Sequence, residues 1–182
     1  MDKSELRKHI RGLKAEHEAQ ELDRLSRLVV DAVRRTDQWQ RASVVALYHP
    51  LPDEVDTRPL IDEALQRGAT VLLPQVVGDD LVLRRYTGRN SLQKGAFGIL
   101  EPCGPPCDNE QDVELIIVPG MAFTADGRRL GRGRGYYDRL LPRLSGAWRM
   151  GICWPFQIVD DIPTYEHDIR MDEVVTETQC AQ

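Results

Sequence analysis

Apolar residues recur every three or four positions at the start of the chain and fall into short unbroken runs farther on, a pattern that predicts helices first and buried strands after. Over residues 3 to 37, Leu6, Ile10 and Leu13 form one stripe, and Leu22, Leu25, Leu28, Val29, Ala32 and Val33 form a second. The stripe breaks between Ala15 and Gln20, which predicts two helices or one kinked helix. Ser43-Val44-Val45-Ala46-Leu47-Tyr48 reads as a buried strand, ended by His49-Pro50-Leu51-Pro52 because proline lacks the N–H a sheet requires. Asp56 or Thr57 is placed to cap a helix over residues 58 to 67 that closes at Gly68. Thr70-Val71-Leu72-Leu73-Pro74 is the next strand, and a helical crossover between two such strands predicts a parallel, right-handed unit.

Leu81 to Tyr86 reads as a further strand, in a hairpin or at an edge. Residues 87 to 112, rich in Gly, Pro and Asn, are expected as loop, with Phe97-Gly98-Ile99-Leu100-Glu101-Pro102 packed down within it. Leu115-Ile116-Ile117-Val118 is the clearest central strand, with Pro119-Gly120 at its carboxyl end; Arg149 to Cys153 and Glu173 to Thr176 follow as later strands. The expected fold is a single α/β domain over residues 1 to 182, three layers around a mostly parallel central sheet. In such sheets ligands gather beyond the carboxyl ends of the strands, so the loops after Tyr48 and after Val118 are expected to share one rim.

Composition narrows the function classes. Hydrophobic residues make up 41% and charged residues 29%, as in soluble chains with a real core. Acidic residues outnumber basic ones, 29 to 24, which argues against a nucleic-acid partner. Arg128, Arg129, Arg132, Arg134 and Arg139 are a local exception, and local positive charge of that kind fits a small anionic ligand. Cys103, Cys107, Cys153 and Cys180 have no paired zinc-ligand spacing and read as reduced, incidental thiols. With no apolar leader after Met1 and no run long enough to span a bilayer, no membrane association and a cytoplasmic location are expected.

The positive cluster is also where the chemistry concentrates. In Arg129-Leu130-Gly131-Arg132-Gly133-Arg134-Gly135-Tyr136-Tyr137-Asp138, alternate glycines let backbone N–H groups approach a ligand and adopt positive φ. The intervening arginines bring fork-shaped donors suited to phosphate or carboxylate, and a helix starting near Gly135 would aim its first amides at the same anion. The alternative is a solvated basic loop. Neither a P-loop nor a dinucleotide fingerprint is present. Nucleotide binding would call for a divalent ion held by one or two carboxylates, for which Asp138 and Asp172 are the candidates.

Val118-Pro119-Gly120-Met121-Ala122-Phe123, followed by Gly127-Arg128-Arg129-Leu130-Gly131-Arg132-Gly133-Arg134-Gly135-Tyr136-Tyr137-Asp138, closely resembles the signature of the 5-formyltetrahydrofolate cyclo-ligase family. Lys3-x-x-Leu6-Arg7, Asp53-Glu54-Val55-Asp56-Thr57, Leu72-Leu73-Pro74, His167-Asp168 and Met171-Asp172-Glu173-Val174 resemble further landmarks of that family, in order, over nearly the whole chain. The resemblance implies a fold similar to sugar-phosphate isomerases and CoA-transferases. It also implies a reaction: ATP and 5-formyltetrahydrofolate give 5,10-methenyltetrahydrofolate, ADP and phosphate with Mg²⁺, through a phosphorylated formyl (iminium phosphate) intermediate.

Site roles follow from the same resemblance. Lys3 and Arg7 would reach the nucleotide phosphates, and Arg129, Leu130, Gly131, Arg132, Gly133, Arg134, Gly135, Tyr136 and Tyr137 would wrap ATP. Arg132 would stabilise charge on the transferring phosphoryl group, and Asp138 and Asp172 would hold Mg²⁺. Glu54 would accept hydrogen bonds from the pterin amino and ring N–H groups, with His49 and Tyr137 also facing the folate. The partners expected are these small molecules alone, and the protein is expected to act as a monomer. A competing class, a non-catalytic binding module for a phosphorylated ligand or folate, would have no need of Arg132 with Asp138 and Asp172.

Overall fold

The computed structural model describes residues 1–95, 100–165 and 168–177; Phe97, Gly98, Ile99, His167 and Cys180 lie outside them. The broken amphipathic stripe resolves into two helices, α1 (Lys3–Ala15) and α2 (Ala19–Arg34), with a third short one, α3 (Asp37–Arg41). Asp2 caps α1 in a capping box with Glu5, its carboxylate accepting from the Ser4 and Glu5 N–H groups. The next helix, α4 (Arg58–Gln66), follows Thr57, but Thr57 does not cap it through its side chain. Its hydroxyl instead donates to the Tyr48 carbonyl at 2.6 Å, while Asp56 accepts from the Arg58 N–H at 3.0 Å.

Six strands form the main sheet: β1 (Val44–Ala46), β2 (Thr70–Val77), β3 (Asp80–Tyr86), β6 (Leu115–Val118), β9 (Trp148–Ile152) and β10 (Glu173–Val175), in the order β10-β9-β6-β1-β2-β3. All neighbours are parallel except β2 and β3, which form the edge hairpin. β2 runs three residues beyond the expected Pro74. Its partner β1 pairs only as far as Leu72, so no strand on that side requires a donor at Pro74.

Period-two alternation divides the strands between two cores. Val45, Leu115, Ile117, Val71 and Leu73 pack with α2, α3 and α4 on one face. Ala46, Ile116, Val118 and Leu72 pack on the other with Phe123, Leu140, Leu141 and Leu144, giving the expected three layers. Two small ribbons were not expected: β4 (Leu92–Lys94) with β5 (Leu100–Pro102), and β7 (Ala122–Phe123) with β8 (Arg129–Leu130). Strands of two or three residues carry too little periodicity to stand out from loop. The second ribbon matters, because Leu6 and Ile10 of α1 pack on its Ala122 and Leu130 and so fasten the first helix to the loop that follows β8.

Candidate active site

A cavity of about 400 Å³ lies beyond the carboxyl ends of β6 and β1 and along the outer half of β2. One wall is the glycine-arginine loop, another the residues after β1 (Tyr48, His49, Leu51, Glu54), and the third is apolar. The two loops expected on one rim are therefore joined across a single opening.

The loop leaves β8 and ends in a one-turn helix, α5 (Tyr136–Leu140). Gly133 and Gly135 hold positive φ, 101° and 70°, which an L side chain would adopt only with strain. Gly131 is held differently, its carbonyl accepting from Arg7 Nε at 2.8 Å. Arg7 thus reaches the loop from α1. Five residues align too few peptide dipoles for much of a macrodipole, so the loop amides and arginines, not the helix, make the anion-attracting end. Leu130 departs from expectation: it is 1% exposed and packs in the core with Leu6 and Met121, leaving only its backbone near the site.

Arg129 is the buried floor of this wall. Its Nη2 donates to Asp138 at 2.8 Å, its Nη1 to the Pro119 carbonyl at 3.2 Å, and its guanidinium lies 5.5 Å from the centre of the Tyr137 ring. Arg129 Nε is buried with no acceptor among the described residues. Arg134, Tyr136 and Tyr137 also line the cavity.

Arg132 bridges the two walls. Its Nη2 donates to Asp53 at 2.6 Å and to Glu54 at 3.0 Å, and its Nε donates to the same Glu54 oxygen at 3.1 Å. The other Glu54 oxygen accepts from the Leu51 N–H at 3.0 Å. Behind them Lys14, only 7% exposed, donates to the Asp53 carbonyl at 2.5 Å and lies 3.4 Å from its carboxylate. Burial pushes the Lys14 ammonium pKa down, partly offset by Asp53. Burial alone would raise the Asp53 carboxyl pKa, but Arg132 and Lys14 outweigh it and hold it below the usual range. The hydroxyls of Tyr48 and Tyr137 are pushed up, first by burial and then by the charge of Glu54, so both stay protonated donors. His49 is half-buried on the same wall; burial and then the Arg58 charge lower its pKa, leaving a neutral ring near pH 7.

The two expected metal carboxylates do not meet. Asp138 lines the cavity beside Arg129, but Asp172 sits at the amino-terminal edge of β9 and β10. There both its oxygens are taken by Arg149, at 2.7 and 2.8 Å. The sheet places that edge at the opposite end of the strands from the cavity, which removes Asp172 from the site. Asp168, four residues earlier, is placed differently: Lys3 Nζ donates to it at 2.6 Å while lying 4.1 Å from the centre of the Tyr165 ring. Asp168 and Arg129 line one small recess, and Arg129 also lines the main cavity. Asp138 thus pairs with Arg129 and Asp168 shares a recess with it, while Lys3 reaches Asp168 rather than the glycine loop itself. Among the described residues no three His, Cys, Asp or Glu side chains converge as a ready-made metal cage.

Lys14 and Asp53, which support Arg132, and Glu101 on the apolar wall are site residues that the sequence pattern does not single out. Asp53 adjoins Glu54 in the acidic motif, the one signal that points to it; nothing in the pattern distinguishes Lys14 from its neighbours on the polar flank.

Comparison with known proteins gives these residues a context. The model of the 5-formyltetrahydrofolate cyclo-ligase family matches residues 1–177. A Schizosaccharomyces pombe protein named probable 5-formyltetrahydrofolate cyclo-ligase is 34% identical over 173 residues, covering 85% of each chain. A Mus musculus 5-formyltetrahydrofolate cyclo-ligase is 30% identical, over 98% of this chain and 93% of the relative. Among solved structures, Aquifex aeolicus 5,10-methenyltetrahydrofolate synthetase superposes with a TM-score of 0.87 at 40% identity, over 99% of this chain and 92% of that one.

Proposed function

Because this chain belongs to the 5-formyltetrahydrofolate cyclo-ligase family, we propose that it cyclises 5-formyltetrahydrofolate to 5,10-methenyltetrahydrofolate at the expense of ATP. The observation that carries this reading is the Arg132 bridge: one guanidinium spans the phosphate-suited loop and the acidic loop, where two substrates must meet.

The glycine loop and Arg7 receive the triphosphate, with Gly133 and Gly135 allowing the backbone to close on it. The formyl oxygen of the folate attacks the γ-phosphorus and ADP leaves, forming an N5-iminium phosphate. N10 then adds to the activated carbon and loses its proton, and phosphate departs with the formyl oxygen as the methenyl bridge forms. Phosphorylation converts an oxide that cannot leave into one that can. Arg132, released from Asp53 and Glu54, neutralises charge on the transferring phosphoryl group. Glu54 then turns its freed carboxylate to the folate, beside the neutral His49 and the protonated Tyr137 hydroxyl.

The donor set fits Mg²⁺ bound through substrate phosphates. Mg²⁺ keeps several waters and takes one or two protein carboxylates; Asp138 lines the cavity, and Asp168 lines the adjoining recess that shares Arg129 with it. These two residues would hold it, in place of the expected Asp138 and Asp172; when bound, the ion would offset phosphate charge. We further propose that the protein works as a cytoplasmic monomer with small-molecule partners only. No helix among the described residues is long and apolar enough to cross a membrane.

Purified protein mixed with 5-formyltetrahydrofolate, ATP and Mg²⁺ should generate the absorbance of the methenyl product, and none when ATP is omitted. Tight binding of both substrates with no product would leave the non-catalytic binding module as the better description.

A further inference from the structure

The apolar wall of the cavity, built from Pro74, Val76, Leu81 and Leu100, contains one charged side chain, Glu101 of β5. It is 6% exposed. Its only hydrogen bond among the described residues is a long one, accepted from the Val76 N–H at 3.4 Å, and no described cation pairs with it. Gly95 leaves room for the carboxylate: a Cβ there would lie 2.0 Å from Glu101 Oε2. Burying a carboxylate among apolar groups without a cation or strong donors is costly, so a donor-rich partner is wanted from within the cavity.

Strand order fixes where this carboxylate stands. β6, β1 and β2 are consecutive in the sheet. The glycine-arginine loop starts beyond β6, bonds Glu54 after β1 through Arg132, and ends with Arg139 on Asp80 of β3, while Glu101 is fastened to β2 through Val76. Glu101 therefore stands one strand outward from the place where Arg132 meets Glu54.

The folate substrate has a matching polarity. Its reacting atoms, the N5-formyl group and N10, sit at one end of the bicyclic ring, and the N3–H and 2-amino group sit at the other. That far edge presents two adjacent donors, which the two oxygens of a carboxylate accept together. The adenine edge places a donor beside an acceptor and can use only one of them.

We propose that Glu101 is a specificity residue that holds the N3–H and 2-amino edge of the pterin, leaving Glu54 at the reacting end beside Arg132. This rests on the folate reading above, and it moves the pterin amino contact expected at Glu54 one strand outward.

The test begins with the unmodified enzyme, whose failure to form methenyl product would refute the folate reading itself. Given turnover, Glu101→Gln should raise the KM for 5-formyltetrahydrofolate by about 10- to 100-fold and leave the KM for ATP within about twofold. The 2-desamino analogue of the substrate should bind the parent enzyme poorly and carry little further penalty in the variant, since the contact is already lost. If Glu101→Gln does not fold, Glu101→Asp, which keeps the charge and withdraws it by one methylene, should show the same split. A rise in the KM for ATP alone would assign Glu101 to adenine and overturn the proposal. Unchanged or equally changed KM values would make Glu101 a structural residue and overturn it as well.

Discussion

Replacing Arg132 with alanine separates what this residue does for the fold from what it does for the reaction. In the structure it makes three hydrogen bonds of 2.6 to 3.1 Å to Asp53 and Glu54, geometry that in a buried setting would matter greatly for stability. Its side chain is 41% exposed and that of Asp53 42%, so solvent screens that pair, which contributes about 0.2–1 kcal/mol. Glu54 is only 9% exposed and would keep just the Leu51 N–H as a donor, so stranding its carboxylate costs more, about 1–3 kcal/mol. For a chain of this size each kcal/mol lowers Tm by about 2–4 °C. Loss of a preorganised charge at a phosphoryl-transfer site bears on the rate instead, by about 10²–10³ in kcat, or roughly 2.7–4 kcal/mol of transition-state stabilisation. Thermal unfolding and steady-state methenyl formation on the same preparation measure both quantities. The expected pattern is a Tm lower by several degrees with the protein still folded at the assay temperature, a kcat lower by at least about 10²-fold, and a KM for ATP changed much less. A kcat within about twofold of the parent would refute the reasoning, as would a loss of rate that merely follows unfolding at the assay temperature.

Other substitutions probe the supports of the site. Gly133→Ala should raise the KM for ATP while sparing the folate, because φ of 101° strains any side chain by about 1–3 kcal/mol although space is available, the nearest atom being Arg7 Cζ at 3.4 Å. Gly12→Ala, on the exposed face of α1 with open space around it, should instead raise Tm through about 0.5–1 kcal/mol; a loss of stability there would contradict the helix assignment. Lys14→Met keeps the volume of a buried side chain but strands the Asp53 carbonyl, so Tm should fall by several degrees, from about 1–3 kcal/mol, and the KM for folate should rise. Asp168→Asn tests the Lys3 tether through pH: burial would raise the Asp168 carboxyl pKa, but Lys3 and the Tyr165 N–H hold it below the usual carboxylate range. Its stabilisation is therefore present above the ordinary carboxylate range and lost as pH falls through the depressed value. The Tm gap between parent and variant should be open at neutral pH and close as the pH falls through that depressed value; a gap that does not narrow in acid would assign the effect to something other than the charge.

The sequence made legible whatever rested on long periodicity or on special backbone. The two helices, the strand 115–118, Gly133 and Gly135 among the glycines that hold positive φ, and a strand within 43–48, of which Val44–Ala46 forms, were readable in this way. The approach of Arg7 to Gly131 was foreshadowed only by the family resemblance, since a basic helix face is ordinarily just solvated. Asp172 misled because its place immediately before a strand gave no clue to which end of the sheet it would occupy. Parallel pairing put it at the amino-terminal edge, where Arg149 claims it. Lys14 and Glu101 were illegible for a different reason: a buried charge looks like a surface charge until tertiary packing closes over it.

The central claim is that the cavity brings the folate formyl oxygen to the γ-phosphate of ATP. Turnover of 5-formyltetrahydrofolate labelled with heavy oxygen in the formyl group tests it most directly, with the label followed into inorganic phosphate by mass spectrometry. The account predicts one labelled oxygen in each phosphate released, in step with methenyl formation. Label appearing in water, with unlabelled phosphate, would contradict it.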